Sequence, residues 1–153
     1  MTVQLANSTE DRSIPPIYDI RPGDLTVVHS ERLPAATELV RRVVGLPGEQ
    51  VVVRDGAVWI DGRRLEPPSE LGDLHFSADR SEQPDVMWGT EQNPAQLGPG
   101  EYFVLGDFSE RSPDSRTWTA GAEGHPPYAV PESNITGVVT HICWPLDRWR
   151  ILR

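Results

Sequence analysis

Apolar and polar residues alternate along this chain in short runs that glycine and proline separate. β-branched and aromatic residues dominate these runs, and no stretch repeats apolar residues with the 3.6-residue period of an amphipathic helix. The pattern predicts strands at residues 25–29, 38–44, 50–54, 57–60, 101–105, 130–135 and 137–144. Many short strands joined by Gly/Pro turns are typical of an all-β barrel or sandwich.

Two Asp-Gly pairs mark the sharpest turns. Asp55-Gly56 lies between two β-type runs, and Asp61-Gly62 follows the second run at once. Asp-Gly adopts the left-handed backbone that a two-residue hairpin turn requires. The pattern therefore predicts a hairpin at residues 50–60 and a further turn directly after it.

The remaining segments carry no period. Residues 1–13 are polar and are expected to form a mobile arm, which leaves a single β domain at residues 14–153. Residues 65–96 are rich in Pro, Ser, Glu and Asp, and a loop of this length is usually a lid, a binding loop or disordered. A second Gly/Pro-rich segment covers residues 119–129.

The composition narrows the possible partners. The chain has 23 acidic and 14 basic residues, a formal charge of −9, which repels nucleic acid and anionic lipid. All 14 basic residues are arginine. No window reaches about 18 uninterrupted apolar residues, so no membrane span is expected. With no export signal in residues 1–13, the expected location is the cytoplasm.

The cysteine and histidine residues do not predict a metal or cofactor site. Cys143 is the single cysteine and lies between Ile142 and Trp144, which favours a buried apolar thiol. No two histidines have ligand spacing. We therefore expect neither a metal nor a cofactor.

Polarity changes abruptly at Gly106. The apolar run 102–105 is followed by GDFSERSPDSR (106–116), which holds three acidic residues, two arginines and three serines. One interpretation is a solvated turn closed by Asp/Arg pairs, and the other is a polar site presented at the end of a strand.

Five motifs occur in an order that resembles the conserved boxes of type I signal peptidases. They are RRVVGLPGE (41–49), RDGAVWIDG (54–62), GPGEYFVLGD (98–107), SPDSR (112–116) and VPESNITG (130–137). The resemblance covers residues 21–145. It implies a folded-ribbon β barrel with long irregular loops and an apolar groove, as in the self-cleaving SOS repressors.

The resemblance also implies a Ser-Lys catalytic dyad, and this chain departs from it. Arg41 stands at the lysine position, and the serine position falls near Pro15, two residues after Ser13. Arginine does not lose its proton in proteins and cannot act as a general base. By the same resemblance, Ser112 matches the serine that binds the lysine. Asp107, Asp114 and Arg116 match a structural ion-pair network.

If Arg41 is partly buried, its fixed charge needs an anionic partner. Asp107 or Asp114 is the internal candidate. A carboxylate on a ligand is the alternative.

Three functions remain open at this stage. The first is a non-proteolytic protein whose groove binds an extended peptide or an apolar molecule, and its oligomeric state is not predicted. The groove is expected to be lined by Ile17, Leu39, Met87, Trp88 and Phe108.

The second is a repurposed enzyme that performs non-hydrolytic chemistry, such as cyclisation of an apolar small molecule in natural-product biosynthesis, with Tyr18, Arg41 or Asp114 polarising the substrate. The third is a serine peptidase in which His125 activates Ser112 or Ser13.

Overall fold

The described residues of the computed structural model are 2–6, 20–30, 37–66, 76, 86–107, 112–144, 147 and 149–152. They form eleven strands: β1 Thr2–Ala6, β2 Leu25–Ser30, β3 Thr37–Gly45, β4 Gln50–Arg54, β5 Ala57–Ile60, β6 Arg63–Arg64, β7 Ala95–Gln96, β8 Glu101–Leu105, β9 Val130–Pro131, β10 Ile135–Trp144 and β11 Arg150–Ile151. A short 3₁₀ turn, Glu132–Asn134, separates β9 from β10. The all-β prediction is confirmed.

Two sheets contain these strands. The larger has the order β1-β10-β2-β3-β8-β9, with β11 also paired to β10, and the smaller has the order β6-β5-β4-β7. Every pairing is antiparallel. Within the described residues these sheets do not close on themselves, so the architecture is two sheets rather than a complete barrel.

Both Asp-Gly pairs form the predicted turns. Asp55 and Gly56 have φ of 51° and 73°, and Asp61 and Gly62 have φ of 49° and 78°. Positive φ at both central residues matches the right-handed twist of the flanking strands. The first turn joins β4 to β5 with Arg54 opposite Ala57, and the second joins β5 to β6.

Strand β8 separates two apolar cores, which explains why its sequence is apolar without alternation. Phe103 and Leu105 pack with Val51, Val53, Val58 and Leu97 between the two sheets. Tyr102 and Val104 point to the opposite face and pack with Val28, Val43, Trp118 and Ile135. A strand buried on both faces presents hydrophobic residues to each. The polar segment at residues 106–116 therefore follows the most buried strand described.

The N-terminal prediction needs a correction for part of its length. Thr2–Ala6, which the sequence places in the mobile arm, forms β1 and pairs antiparallel with β10. The ten-residue β10 is longer than β2, which pairs with its first part, so its remaining residues can pair with a further strand. Residues 7–13 lie outside the described residues, and the single domain at 14–153 stays a prediction.

Candidate functional site

Strand β3 presents two consecutive arginines to opposite faces of the larger sheet. Neighbouring strand residues alternate between faces, so Arg41 and Arg42 cannot share one environment. Arg41 lies opposite Thr26 of β2, and Arg42 lies opposite Leu25. The hydroxyl of Thr26 donates to the carbonyl of Arg41 at 3.2 Å, which adds a side-chain bond to this pairing.

Arg42 is held by a complete ion pair. Its Nε donates to Asp107 Oδ1 at 2.7 Å and its Nη2 donates to Asp107 Oδ2 at 2.6 Å. Its Nη1 donates to the carbonyl of Gly23 at 2.5 Å. The Arg42 side chain is 7% exposed and that of Asp107 is 41% exposed. The paired guanidinium links three places in the chain: the turn before β2, β3 and the end of β8.

A second ion pair is fully buried. Asp114 accepts from Arg116 Nε at 3.0 Å and from Arg116 Nη2 at 2.6 Å, and the two side chains are 0% and 1% exposed. Asp114 also accepts from the backbone N–H groups of Gly106 and Arg116, both at 3.1 Å. Each oxygen of this carboxylate therefore has at least two donors, as a buried charge requires.

The segment that contains this pair is fixed against β8. Ser115 Oγ accepts from the backbone N–H of Val104 at 2.9 Å, and the Ser115 N–H donates to the carbonyl of Val104. Ser112 lies so close to Gly106 that a Cβ at residue 106 would collide with the Ser112 side chain. Glycine at this position allows the close approach. As a result, residues 112–116 fold back along the end of the strand.

Arg41 meets the same segment through backbone carbonyls. Its Nε and Nη2 both donate to the carbonyl oxygen of Pro113, at 3.0 and 2.8 Å, and its Nη1 donates to the carbonyl of Val40 at 2.7 Å. The expected internal carboxylate partner is not found. Asp107 binds Arg42 and Asp114 binds Arg116, and no carboxylate among the described residues forms an ion pair with Arg41.

The charge on Arg41 is set by opposing effects. Partial burial lowers the pKa of its guanidinium, while the nearby carboxylates of Asp114 and Asp107 raise that pKa. The ordinary pKa of arginine lies far above neutral pH, and arginine stays protonated in proteins. Arg41 is therefore a permanent cation that can donate hydrogen bonds and cannot accept a proton.

His125 and Ser112 lie at opposite ends of β8. Ser112 contacts Gly106, directly after the strand, whereas His125 Nδ1 lies 2.6 Å from Oε1 of Glu101, the first residue of the strand. Four residue steps of a strand span roughly 13 Å. The structure does not bring this imidazole to Ser112. Ser13, the other serine proposed to pair with it, lies outside the described residues.

The expected groove residues are placed only in part. Leu39 lies two residues before Arg41 on β3 and packs, half-buried, on the core that contains Val43. Trp88 packs against Tyr128 with 5.2 Å between ring centroids, and its Nε1 donates to the carbonyl of Trp118 at 3.1 Å. Met87 is half-buried beside it. Three further predicted residues lie outside the described part of the chain: Ile17, Tyr18 and Phe108.

Sequence reasoning did not identify three groups that organise this region. Arg42 could have been found from strand alternation, because a second arginine directly after Arg41 must face the other side of β3. Glu101, which also accepts from the backbone N–H of Gly98 at 2.7 Å, gives no signal of pairing with a histidine 24 residues away. The carbonyl of Pro113 is a backbone group, so no residue type could reveal it.

Two kinds of feature are absent from the described residues. No group of three or more His, Cys, Asp or Glu side chains among them could hold a metal ion. Within the same residues, no helix has the length and apolar character to cross a membrane.

Comparison with known proteins agrees with the motif order. The family model described as "Signal peptidase, peptidase S26" matches residues 4–144. A signal peptidase I from Leptolyngbya laminosa is 34% identical over 134 residues, which cover 84% of this chain and 55% of that protein. A signal peptidase I from Mycobacterium tuberculosis is 33% identical over 123 residues, covering 78% of this chain and 41% of that protein. The chain thus spans about half the length of these relatives.

A solved structure gives the same result at the level of the fold. The crystal structure of a signal peptidase I from Enterococcus faecalis superposes with a TM-score of 0.56 at 29% sequence identity, covering 81% of this chain and 99% of that one. The family model covers most of the chain and the structural match covers most of both chains. This protein belongs to the signal peptidase family, peptidase S26.

Proposed function

We propose that this protein is a non-proteolytic member of the signal peptidase family whose groove binds an extended apolar peptide. One observation carries the proposal. Arg41 occupies the position that the family resemblance assigns to the catalytic lysine, and backbone carbonyls hold its guanidinium there. A Ser-Lys peptidase needs a neutral amine at that position to take the proton of the serine hydroxyl.

The chemistry offers this chain no simple substitute for the lysine. The sequence contains no lysine, so another lysine cannot reach the site from elsewhere in the chain. The described imidazole in the loop after β8 pairs with Glu101 at the far end of that strand. The guanidinium, in contrast, suits recognition, because it offers fixed hydrogen-bond donors and a permanent charge.

Two ion pairs fix the geometry around Arg41, which supports binding rather than loss of all function. The buried pair of Asp114 and Arg116, its backbone donors, and the pair of Arg42 and Asp107 are all formed. Such networks keep a segment in one geometry. A groove needs this ordered frame to bind a peptide, but it needs no base.

A cleavage assay tests the first half of the proposal. The protein and the signal peptidase I T of Bacillus subtilis, a relative that is 25% identical over 134 residues, are each incubated with the same preprotein. We expect cleavage by the relative and an intact preprotein with this chain. Arg41→Lys is expected to stay inactive, because the serine position is also altered. Cleavage at one site that is lost in Ser112→Ala or Ser13→Ala would refute the proposal.

A binding assay tests the second half. We expect an apolar signal-peptide fragment to bind, measured by fluorescence anisotropy, and Leu39→Thr to weaken the binding. The matched control is Ile60→Thr, which makes the same kind of change at a half-buried position of the smaller sheet. Absence of binding by the wild-type protein, or equal losses in the two variants, would contradict a peptide groove beside Arg41.

A further inference from the structure

Arg41 differs from the other shielded arginines in what accepts its hydrogen bonds. Among the arginines whose side chains the structure describes, four are buried or half-buried: Arg41, Arg42, Arg54 and Arg116. The last three each bind a carboxylate, from Asp107, Glu91 and Asp114 respectively. Arg41 binds two neutral carbonyl oxygens. Its charge is therefore the one in this group that no described carboxylate pairs with directly.

A count of donors shows what the Arg41 guanidinium can still bind. The group has five N–H donors. Nε and Nη2 each direct one toward the carbonyl of Pro113, and Nη1 directs one toward the carbonyl of Val40. Within the described part of the chain, two N–H groups have no acceptor, one on each terminal nitrogen. Two donors on neighbouring nitrogens match the two oxygens of one carboxylate.

The local charge balance also favours an anion. Among the described residues of this region, Arg41, Arg42 and Arg116 carry three positive charges, and Asp107 and Asp114 carry two negative charges. Both carboxylates already accept two bonds from their own arginines. These described residues therefore have one excess positive charge, whereas the whole protein has a formal net charge of −9. A partly desolvated cation gains most from an ionised, hydrogen-bonding partner.

From these contacts we infer that Arg41 binds the carboxylate of a peptide ligand through the one N–H group on each terminal nitrogen that has no acceptor among the described residues. This inference rests on the proposed function, since it assumes that a peptide lies in the groove. The carboxylate can come from the free C-terminus of the peptide or from an acidic side chain. A peptide that continues past Arg41 presents only single amide oxygens to it. One such oxygen cannot accept from both N–H groups as well as the two oxygens of a carboxylate can.

Three peptides with one apolar sequence distinguish these ligands. The first ends in alanine with a free carboxylate, the second is its C-terminal amide, and the third is an amide whose last alanine is replaced by aspartate. Binding to the whole protein is measured by fluorescence anisotropy. Because a bidentate charged bond is partly offset by solvent at a half-buried site, we expect the free acid to bind about tenfold more tightly than the amide.

Variants then assign this preference to Arg41. In Arg41→Gln we expect the acid and the amide to bind equally, and in Arg41→Lys part of the preference to remain, because the charge is kept and the fork is lost. Arg54→Gln is the matched control: it removes a half-buried arginine that pairs with Glu91 on the smaller sheet, and it should leave the preference unchanged. Thermal melting confirms that each variant is folded before binding is compared.

The outcomes separate the inference from the proposed function. Tight binding of the aspartate peptide that also depends on Arg41 would support the carboxylate site and identify a side chain as its source. Equal binding of acid and amide by the wild-type protein, or an acid preference that persists in Arg41→Gln, would overturn the inference while the peptide groove stands. Failure of all three peptides to bind, or their cleavage, would overturn the proposed function and the inference with it.

Discussion

The two neighbouring arginines of β3 lie on opposite faces of the strand, and they differ in burial and in what accepts their hydrogen bonds. On one face, Arg42 is almost completely buried and its charge is neutralised by both oxygens of Asp107. On the other, Arg41 is half-buried and its bonds go to carbonyls of Pro113 and Val40. A buried ion pair contributes to a fixed structure, whereas a cation held by neutral groups keeps charge available for a ligand. The difference separates the structural part of this region from the part proposed to bind.

The largest expected effect is on the completely buried pair that supports both faces. Asp114→Asn removes the negative charge that pairs with the guanidinium of Arg116, which is 1% exposed. Breaking a buried pair in this way costs about 3–5 kcal/mol, and we expect a decrease of that size in the free energy of unfolding measured by urea denaturation.

Asp61→Asn is the matched control for this substitution. Asp61 is exposed, has a positive φ that asparagine tolerates, and accepts one backbone bond, from Gln50. Its change should stay within about 0.5 kcal/mol. A similar stability for the two variants would show that the charge of Asp114 does not hold the 112–116 segment.

Loss of the Arg42–Asp107 ion pair should have an intermediate effect on the free energy of unfolding. Asp107→Asn removes the charge that binds Arg42, but Asp107 is 41% exposed and water can replace part of the interaction. We expect a loss of about 1–2 kcal/mol in the same assay. A loss as large as that of Asp114→Asn would mean that exposure of the carboxylate does not weaken this pair, and the two networks would then be equivalent.

Substitution of Arg41, which forms no ion pair with a described carboxylate, should have the smallest effect on the free energy of unfolding. Arg41→Gln removes three bonds to carbonyls, but it also removes a partly desolvated charge, and water can reach the exposed Pro113. We expect the free energy of unfolding to change by less than about 1 kcal/mol. Arg42→Gln is the control on the other face, where the loss should be clearly larger. Equal losses at the two positions would remove the contrast between the faces.

Much of the fold follows from local sequence signals. Alternation of β-branched residues and the two Asp-Gly turns predict the longer strands and the β4–β5 hairpin. The two-residue strands β6, β7 and β11 were not predicted, because a pair of residues has no period to detect, whereas β9 is the first part of the predicted run 130–135. β1 was missed for a different reason: its pairing depends on the free edge of β10, more than 130 residues further along the chain.

The sequence predicted which residues belong to the candidate site, but it did not predict the hydrogen-bond partners of Arg41. The family resemblance pointed to Arg41, Asp107, Asp114 and Arg116, and it assigned the last three to a structural ion-pair network. The expected direct ion pair of Arg41 with Asp107 or Asp114 is not found, although both carboxylates lie close enough to raise its pKa. Each carboxylate has a closer arginine, Arg42 on the opposite face of β3 or Arg116 two residues along the chain. Choosing between competing cations requires distances that the sequence does not contain.

Gly106 has a consequence for how this protein can change. Its missing side chain lets Ser112 approach the end of β8, and the next residue, Pro113, supplies the carbonyl that holds Arg41. Any larger residue at 106 must push the returning segment outward and carry that carbonyl away from the guanidinium. The orientation of the Arg41 guanidinium therefore depends on Gly106, although the two residues share no hydrogen bond. Natural or engineered variants with altered ligand preference should be sought at this glycine as well.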